Sequence, residues 1–153
     1  MDEYKIVAAE YGDVSQIARL QVQLALESEN ITLDYNKVWS GVLSAFEDDN
    51  KGGYLVARSE TTGEVIASLM ITREWSDWTD TYYWWIQSVY VLPEWRRKGV
   101  FSAMFATVKN LAAEVGVATI RLYVDKHNTA AYNAYRAVGM SESHYKMMEE
   151  SIS

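Results

Sequence analysis

Three consecutive cations, Arg96, Arg97 and Lys98, stand directly before Gly99. They follow a strand-like run that closes on Val91-Leu92-Pro93, and they precede an apolar-periodic run that reads as a helix after Gly99. A helix start already carries about half a positive charge, so each exposed cation there costs roughly 0.3–1 kcal/mol. Three in a row at that end call for an anion. Backbone N–H groups at a helix start, beside a glycine that admits a ligand closely, form a phosphate cradle. The plainer reading of the same residues is a helix begun at Pro93, with Glu94 offsetting the charge and Gly99 an interior defect costing about 1 kcal/mol. Local physics leaves both open.

A second stretch with chemistry in it is L-Y-V-D-K-H-N-T-A-A-Y-N-A-Y-R-A-V-G-M, residues 122–140. It offers an amide side chain at Asn128, small residues at Ala130 and Ala131, a phenol at Tyr135 and a stop at Gly139. Elsewhere the chemistry is thin. His127 and His144 belong to no ligand cluster, so a metal site is not expected. No Ser-His-Asp arrangement is evident, and Ser102 reads as an amide donor to phosphate.

Both stretches resemble signatures of the GNAT superfamily of N-acetyltransferases. The first is similar to its acyl-CoA motif, Gln/Arg-x-x-Gly-x-Gly/Ala after a strand ending in Val-x-Pro. Arg96 and Gly99 match, and Phe101 stands where Gly or Ala is usual. The second matches a strand at Leu122 to Val124, then Asn128, Ala130 with Ala131, Tyr135, and Gly139 with Met140 in place of Gly-Phe. The resemblance implies an acyl-CoA N-acyltransferase fold with splayed central strands and acetyl-CoA as co-substrate. It implies that Val89 and Val91 pair with the pantetheine arm. It further implies that the amides of Arg96, Arg97, Lys98, Gly99, Val100, Phe101 and Ser102 hold the diphosphate. Asn128 either bonds the pantetheine or caps a helix. Tyr135 would be the general acid for the departing thiolate, or else a packed helix tyrosine.

Bulk properties bound these readings. A chain of 153 residues is expected to form a single domain over 1–153 with one core. The net charge of −7 repels nucleic acid, so the basic run favours a compact anion over a polyanion. With no cysteines, thiolate chemistry and disulfides are excluded, and a reducing, cytoplasmic setting is expected. The opening M-D-E-Y-K-I-V has no signal-peptide pattern, and no run approaches the ~18 apolar residues of a membrane span.

The elements that must position these residues follow from periodicity and punctuation. Residues 4–9 read as a strand. Asp13 is expected to cap a helix through about Glu27, with Ile17, Leu20 and Leu24 on one face. Asp34 is expected to cap a second, carrying Val38, Val42 and Phe46. Strands are expected at Gly53–Arg58, Glu64–Arg73 and Thr81–Val91, with a turn over Glu74–Asp80. The helix after Gly99 is expected to turn Met104, Val108, Leu111 and Val115 to one face and to stop at Gly116. Val117–Val124 reads as a strand parallel to the one ending at Val91. A short helix follows, capped by Asn128 or Thr129 and ended by Gly139, and Ser143–Glu149 reads as a closing strand. The order β-α-α-β-β-β-α-β-α-β is a mixed α/β sheet with helices on its faces, which is also the superfamily's order.

The base is open. An alkyl ammonium must lose a proton first, at about 4 kcal/mol at pH 7, whereas an α-amine costs only about 1.4 kcal/mol. Gln87 and Ser88 stand where many superfamily members place an acid. Glu74, Glu27, Asp77 and Glu29 are the candidates, Glu74 leading because it follows the third predicted strand. The acceptor pocket is expected between the first two helices and the strand ends, with Glu27, Trp75, Trp78, Trp85 and Gln87 touching substrate. Aromatic faces beside carboxylates suit a cationic amine. Trp84 and Trp85 face opposite sides of their strand, so at most one of them serves. The expected activity is acetyl transfer to the primary amine of a small molecule, by direct attack in a ternary complex. The alternatives are an acyl-CoA sensor without turnover, or an acetyltransferase acting on protein N-termini or lysines. No nucleic-acid or membrane partner is expected, and a homodimer is an option the superfamily uses.

Overall fold

The computed structural model describes residues 3–153, which fall into two compact units, 3–123 and 124–153. In the first, strand β1 (Tyr4–Ala8) is followed by helices α1 (Val14–Glu29) and α2 (Tyr35–Glu47). Strands β2 (Gly53–Ser59), β3 (Val65–Ser76) and β4 (Thr81–Val91) come next, then helix α3 (Val100–Glu114) and a short strand β5 (Ile120–Arg121). The sheet order is β1-β2-β3-β4-β5. The first three pairings are antiparallel, and β4–β5 is parallel, the geometry a helical crossover produces.

The helices begin and end for local reasons. Asp34 caps α2 by accepting from the Asn36 amide at 3.0 Å. Asn30 closes α1 in the left-handed conformation, φ 54°, its N–H reaching back to the Ala25 and Leu26 carbonyls. Gly116, φ +79°, ends α3 as expected. Asp13 precedes α1 but does not cap it with its side chain. Its carboxylate instead accepts from the Glu10 amide at 2.8 Å and from both Arg58 guanidinium nitrogens at 2.9 and 2.7 Å. That pair clamps the start of α1 to β2.

One core joins α1, α2 and the sheet through Val14, Ile17, Ala18, Leu20, Val42, Val56, Val65 and Tyr90. Helix α3 packs on β1, β2 and β4. Its buried stripe is Val100, Met104, Phe105, Val108 and Ala112. Leu111 and Val115, expected on that face, are exposed, and Phe105 and Ala112 take their place.

Two strands differ from expectation in extent. β3 runs on through Glu74 to Ser76, so the turn is only residues 77–80 and Glu74 lies within a strand, paired in register with Tyr83. The Val117–Val124 run, rich in β-formers, yields only the two residues of β5. Propensity makes a strand only where a neighbouring backbone accepts it, and β4 offers that at Trp84 and Trp85 alone.

In the second unit, α4 spans Thr129–Ala137. Asn128 caps it, accepting from the Ala131 amide at 3.1 Å, and Gly139 follows at φ +101°. Residues 141–153 form neither helix nor strand, so the closing strand expected at Ser143–Glu149 is not formed. Its adjacent Met147 and Met148 break the alternation a half-buried strand requires. Among the described residues no helix is long and apolar enough to cross a membrane, and no cluster of three or more His, Asp or Glu side chains could hold a metal ion.

Candidate active site

The site is built around a defect in β4. Ser68 pairs with Tyr90 and Met70 pairs with Gln87, so β3 advances two residues while β4 advances three. The extra residue is a β-bulge, and Ser88 within it has φ +54°, a conformation that costs a non-glycine residue roughly 1–2 kcal/mol. A bulge raises local twist and swings the strand away from its neighbour. β5 pairs with β4 only at Trp84 and Trp85, before the bulge. Beyond it, Val89 to Val91 keep β3 on one side and present a backbone edge on the other. Such an edge accepts an extended chain as an added strand would be accepted.

The strand then leads into the cationic corner. Pro93–Trp95 form one 3-10 turn, not the start of α3. Arg97 takes φ +62° and Gly99 φ +79°, so α3 opens from two left-handed residues. The first bond of its ladder runs from the Ala103 amide to the Gly99 carbonyl at 3.0 Å. The amides of the opening turn therefore have no acceptor within the helix. A Cβ on Gly99 would meet nothing within 4 Å, so the glycine is required by φ and the space before the helix start is open. These features fit a diphosphate.

The three cations divide their work. Lys98 lies over the buried Trp95 ring, Nζ 5.3 Å from its centroid. Arg96 turns back: its Nε donates to the Val91 carbonyl at 2.9 Å, and its Nη2 donates to Glu27 Oε2 at 2.8 Å. Its guanidinium also lies 5.2 Å from the Tyr90 ring centroid. Tyr90 in turn donates its hydroxyl to Glu27 Oε1 at 2.9 Å. Burial and this bond to a carboxylate raise the Tyr90 phenol above its ordinary value. Glu27, expected at the substrate, is thus engaged with Arg96 and Tyr90. One lone pair of the Val91 carbonyl, expected to face the coenzyme, already serves Arg96.

On the α1–α2 side a cavity of about 310 Å³ reaches the bulge. Its walls are Gln21, Leu24, Ala25 and Glu29 of α1, Leu33, the α2 residues Val38, Gly41 and Val42, with Tyr54 and Ser88 from the sheet. Its place between the first two helices and the sheet is the expected one, but its lining is not. Trp75, Trp78, Trp85 and Gln87 do not line it. Trp78 stands at the β3–β4 turn, 91% exposed, and Trp75 packs edge-on to Tyr82. From Thr81 to Ser88 the strand rises about 23 Å at ~3.3 Å per residue, which separates that turn from the bulge. Gln87 donates to Thr72 Oγ1 at 2.6 Å.

Of the four carboxylates considered as base, Glu29 lines the cavity. Asp77 lies in the turn. Glu74 Oε1 accepts from Trp85 Nε1 at 2.7 Å and from Arg121 at 3.2 Å. Sequence reasoning missed the cavity residues Tyr54 and Gln21. No local pattern marks them, since each reads as an ordinary core-facing position.

In the second unit, burial raises the Tyr135 phenol above its ordinary value. It keeps its proton at neutral pH, the state a proton donor requires.

Solved structures share this architecture. A possible acetyltransferase from Clostridium difficile 630 is 37% identical, with 98% of each chain covered and a TM-score of 0.90. Aminoglycoside N-acetyltransferase AAC(6')-Iy in complex with CoA is 15% identical, with 100% of this chain and 97% of that one covered and a TM-score of 0.82. Ribosomal-protein-alanine N-acetyltransferase from Brucella melitensis is 14% identical, with 99% and 100% covered and a TM-score of 0.80. At such identities the last two share the fold alone. No curated protein sequence matches the chain. The acetyltransferase (GNAT) family model matches residues 16–140. The chain belongs to that family, whose members carry out acyl transfer from acetyl-CoA.

Proposed function

We propose that the protein transfers the acetyl group of acetyl-CoA to the primary amine of a small molecule, by direct attack within a ternary complex. The observation that carries this is the meeting, at Ser88, of two complementary features. One is a strand edge that has lost its neighbour; the other is a cavity on the α1–α2 side.

The thioester supplies an activated acyl carbon. Val89 and Val91 would hold the pantetheine arm along the β4 edge, and the opening turn of α3, from Gly99 to Ser102, would hold the diphosphate, aided by Arg97 and Lys98. Asn128, already an α4 cap, is the further pantetheine contact. The amine nitrogen attacks the acyl carbon, the new C–N bond forms, and the C–S bond breaks. Tyr135 donates its proton toward the departing sulfur. The ammonium has first given one proton to water to free its lone pair. The second proton, shed by the nitrogen on attack, returns through water to the Tyr135 oxygen, so the donor is restored and free CoA thiol is released. Glu74 serves as final acceptor of the first proton only through a relay, because the ladder sets it about 16 Å along the sheet from Ser88.

Free-thiol release from acetyl-CoA in the presence of a primary amine tests this reading. Tyr135→Phe is expected to lower kcat roughly 100-fold, with acetyl-CoA affinity unchanged by calorimetry. An unchanged kcat removes Tyr135 from the mechanism. Failure of the wild-type chain to bind acetyl-CoA overturns the reading as a whole.

A further inference from the structure

The acceptor cavity carries its own selection rule. It is an open groove of about 310 Å³, with Glu29, Leu33 and Gly41 of its wall exposed to solvent. That is at the small end of the ~300–1,000 Å³ range of ligand sites and suits a small amine. Leu24, Ala25, Leu33, Val38 and Val42 give it an apolar body. Among the described residues Glu29 is the one acidic or basic residue on its wall.

Glu29 sits in the last turn of α1, where no basic residue is present. A helix C-terminus carries partial negative charge, so a carboxylate there favours a cation nearby. The neighbouring carboxylate, Glu27, has Arg96 and Tyr90. Among the described residues Glu29 has no ion pair. The far wall offers a second charge nothing: an ammonium set among Leu24, Val38 and Val42 would be desolvated without a partner.

We infer that the acceptor is a primary monoamine with one cationic nitrogen and a compact apolar body, its ammonium drawn in by Glu29. Polyamines, aminoglycosides and peptide N-termini are disfavoured. This rests on the acetyl-transfer reading above and names the substrate class of the same site.

The test measures free-thiol release with 2-phenylethylamine, ethylamine, spermidine, kanamycin and an alanine-initiated peptide. The wild-type chain is expected to prefer 2-phenylethylamine by at least tenfold in kcat/KM. Glu29→Gln is expected to raise the KM for 2-phenylethylamine roughly tenfold while leaving the KM for acetyl-CoA in place, because a charge-assisted hydrogen bond is lost on the amine side alone. Gly41→Leu is a variant expected to fold. A Cβ at Gly41 meets nothing within 4 Å, and leucine favours helix over glycine. It narrows the cavity, so kcat/KM for 2-phenylethylamine should fall several-fold more than for ethylamine. Equal or better turnover of spermidine, kanamycin or the peptide overturns this inference and leaves acetyl transfer standing. So does indifference of the monoamine kinetics to both substitutions. Absence of acetyl-CoA binding overturns the parent reading and this one together.

Discussion

Two arginine–carboxylate pairs in this molecule share chemistry and differ in surroundings. Asp13 and Arg58 meet through two parallel bonds, with side chains only 5% and 18% exposed. Glu27 and Arg96 meet through one bond, each side chain 44% exposed. The first pair is removed from water and holds α1 to the sheet. The second stands at the cationic corner before α3, where solvent screens it. Burial, not residue type, separates a clamp from an adjustable contact. A partly buried charge that loses its partner is left uncompensated, whereas an exposed one is rehydrated.

The largest expected effect follows directly. Asp13→Ala should cost about 3 kcal/mol of stability, near the low end for a broken buried pair because Arg58 keeps some exposure. Glu27→Ala should cost under about 1 kcal/mol. Urea unfolding of the two variants measures both, and equal losses would erase the distinction drawn here.

Catalytic kinetics should reverse the order. Arg96 ties the end of β4 to the cationic corner through the Val91 carbonyl and Glu27. Arg96→Ala should therefore raise the KM for acetyl-CoA roughly tenfold, the scale of a lost hydrogen bond to a charged group. Arg58→Ala, once allowance is made for its unfolded fraction, should leave that KM unmoved. A larger KM change in Arg58→Ala would assign the two pairs the opposite roles.

The smallest effect is one of pH. Burial alone would raise the Asp13 carboxyl, but the Arg58 and Glu10 hydrogen bonds and the Arg58 charge outweigh it and hold it below its ordinary 3.8. A depressed folded value contributes stability above 3.8 that is lost as pH falls through the folded value. The stability difference between wild type and Asp13→Asn should thus be constant above about pH 5 and shrink below pH 4. A difference that grows on acidification would contradict that sign.

Much of the architecture was legible from residues alone, and the legible parts have a common cause. Asp34 and Asn128 cap helices two and three residues away. Gly116 and Gly139 adopt the positive φ suited to the helix stops they were read as. These are interactions within one turn of chain, fully specified by neighbouring side chains. The helix after Gly99 and the long strand Thr81–Val91 follow for the same reason.

Distant pairing decided the rest. Asp13 reads as a helix cap until Arg58, forty-five positions on, takes its carboxylate. Glu27 reads as a substrate ligand until Arg96, sixty-nine positions on, engages it. Val117–Val124 has the composition of a strand, yet it pairs with β4 only at Ile120 and Arg121. The bulge at Ser88 is a matter of register between two strands, which no residue type announces. The cavity draws its walls from two helices, the link between them and two strands, so its size and the place of Glu29 on its wall exist only once the chain has folded. Local physics chose the elements and their ends. Which side chains meet, and which space they leave between them, was settled by packing across the sheet.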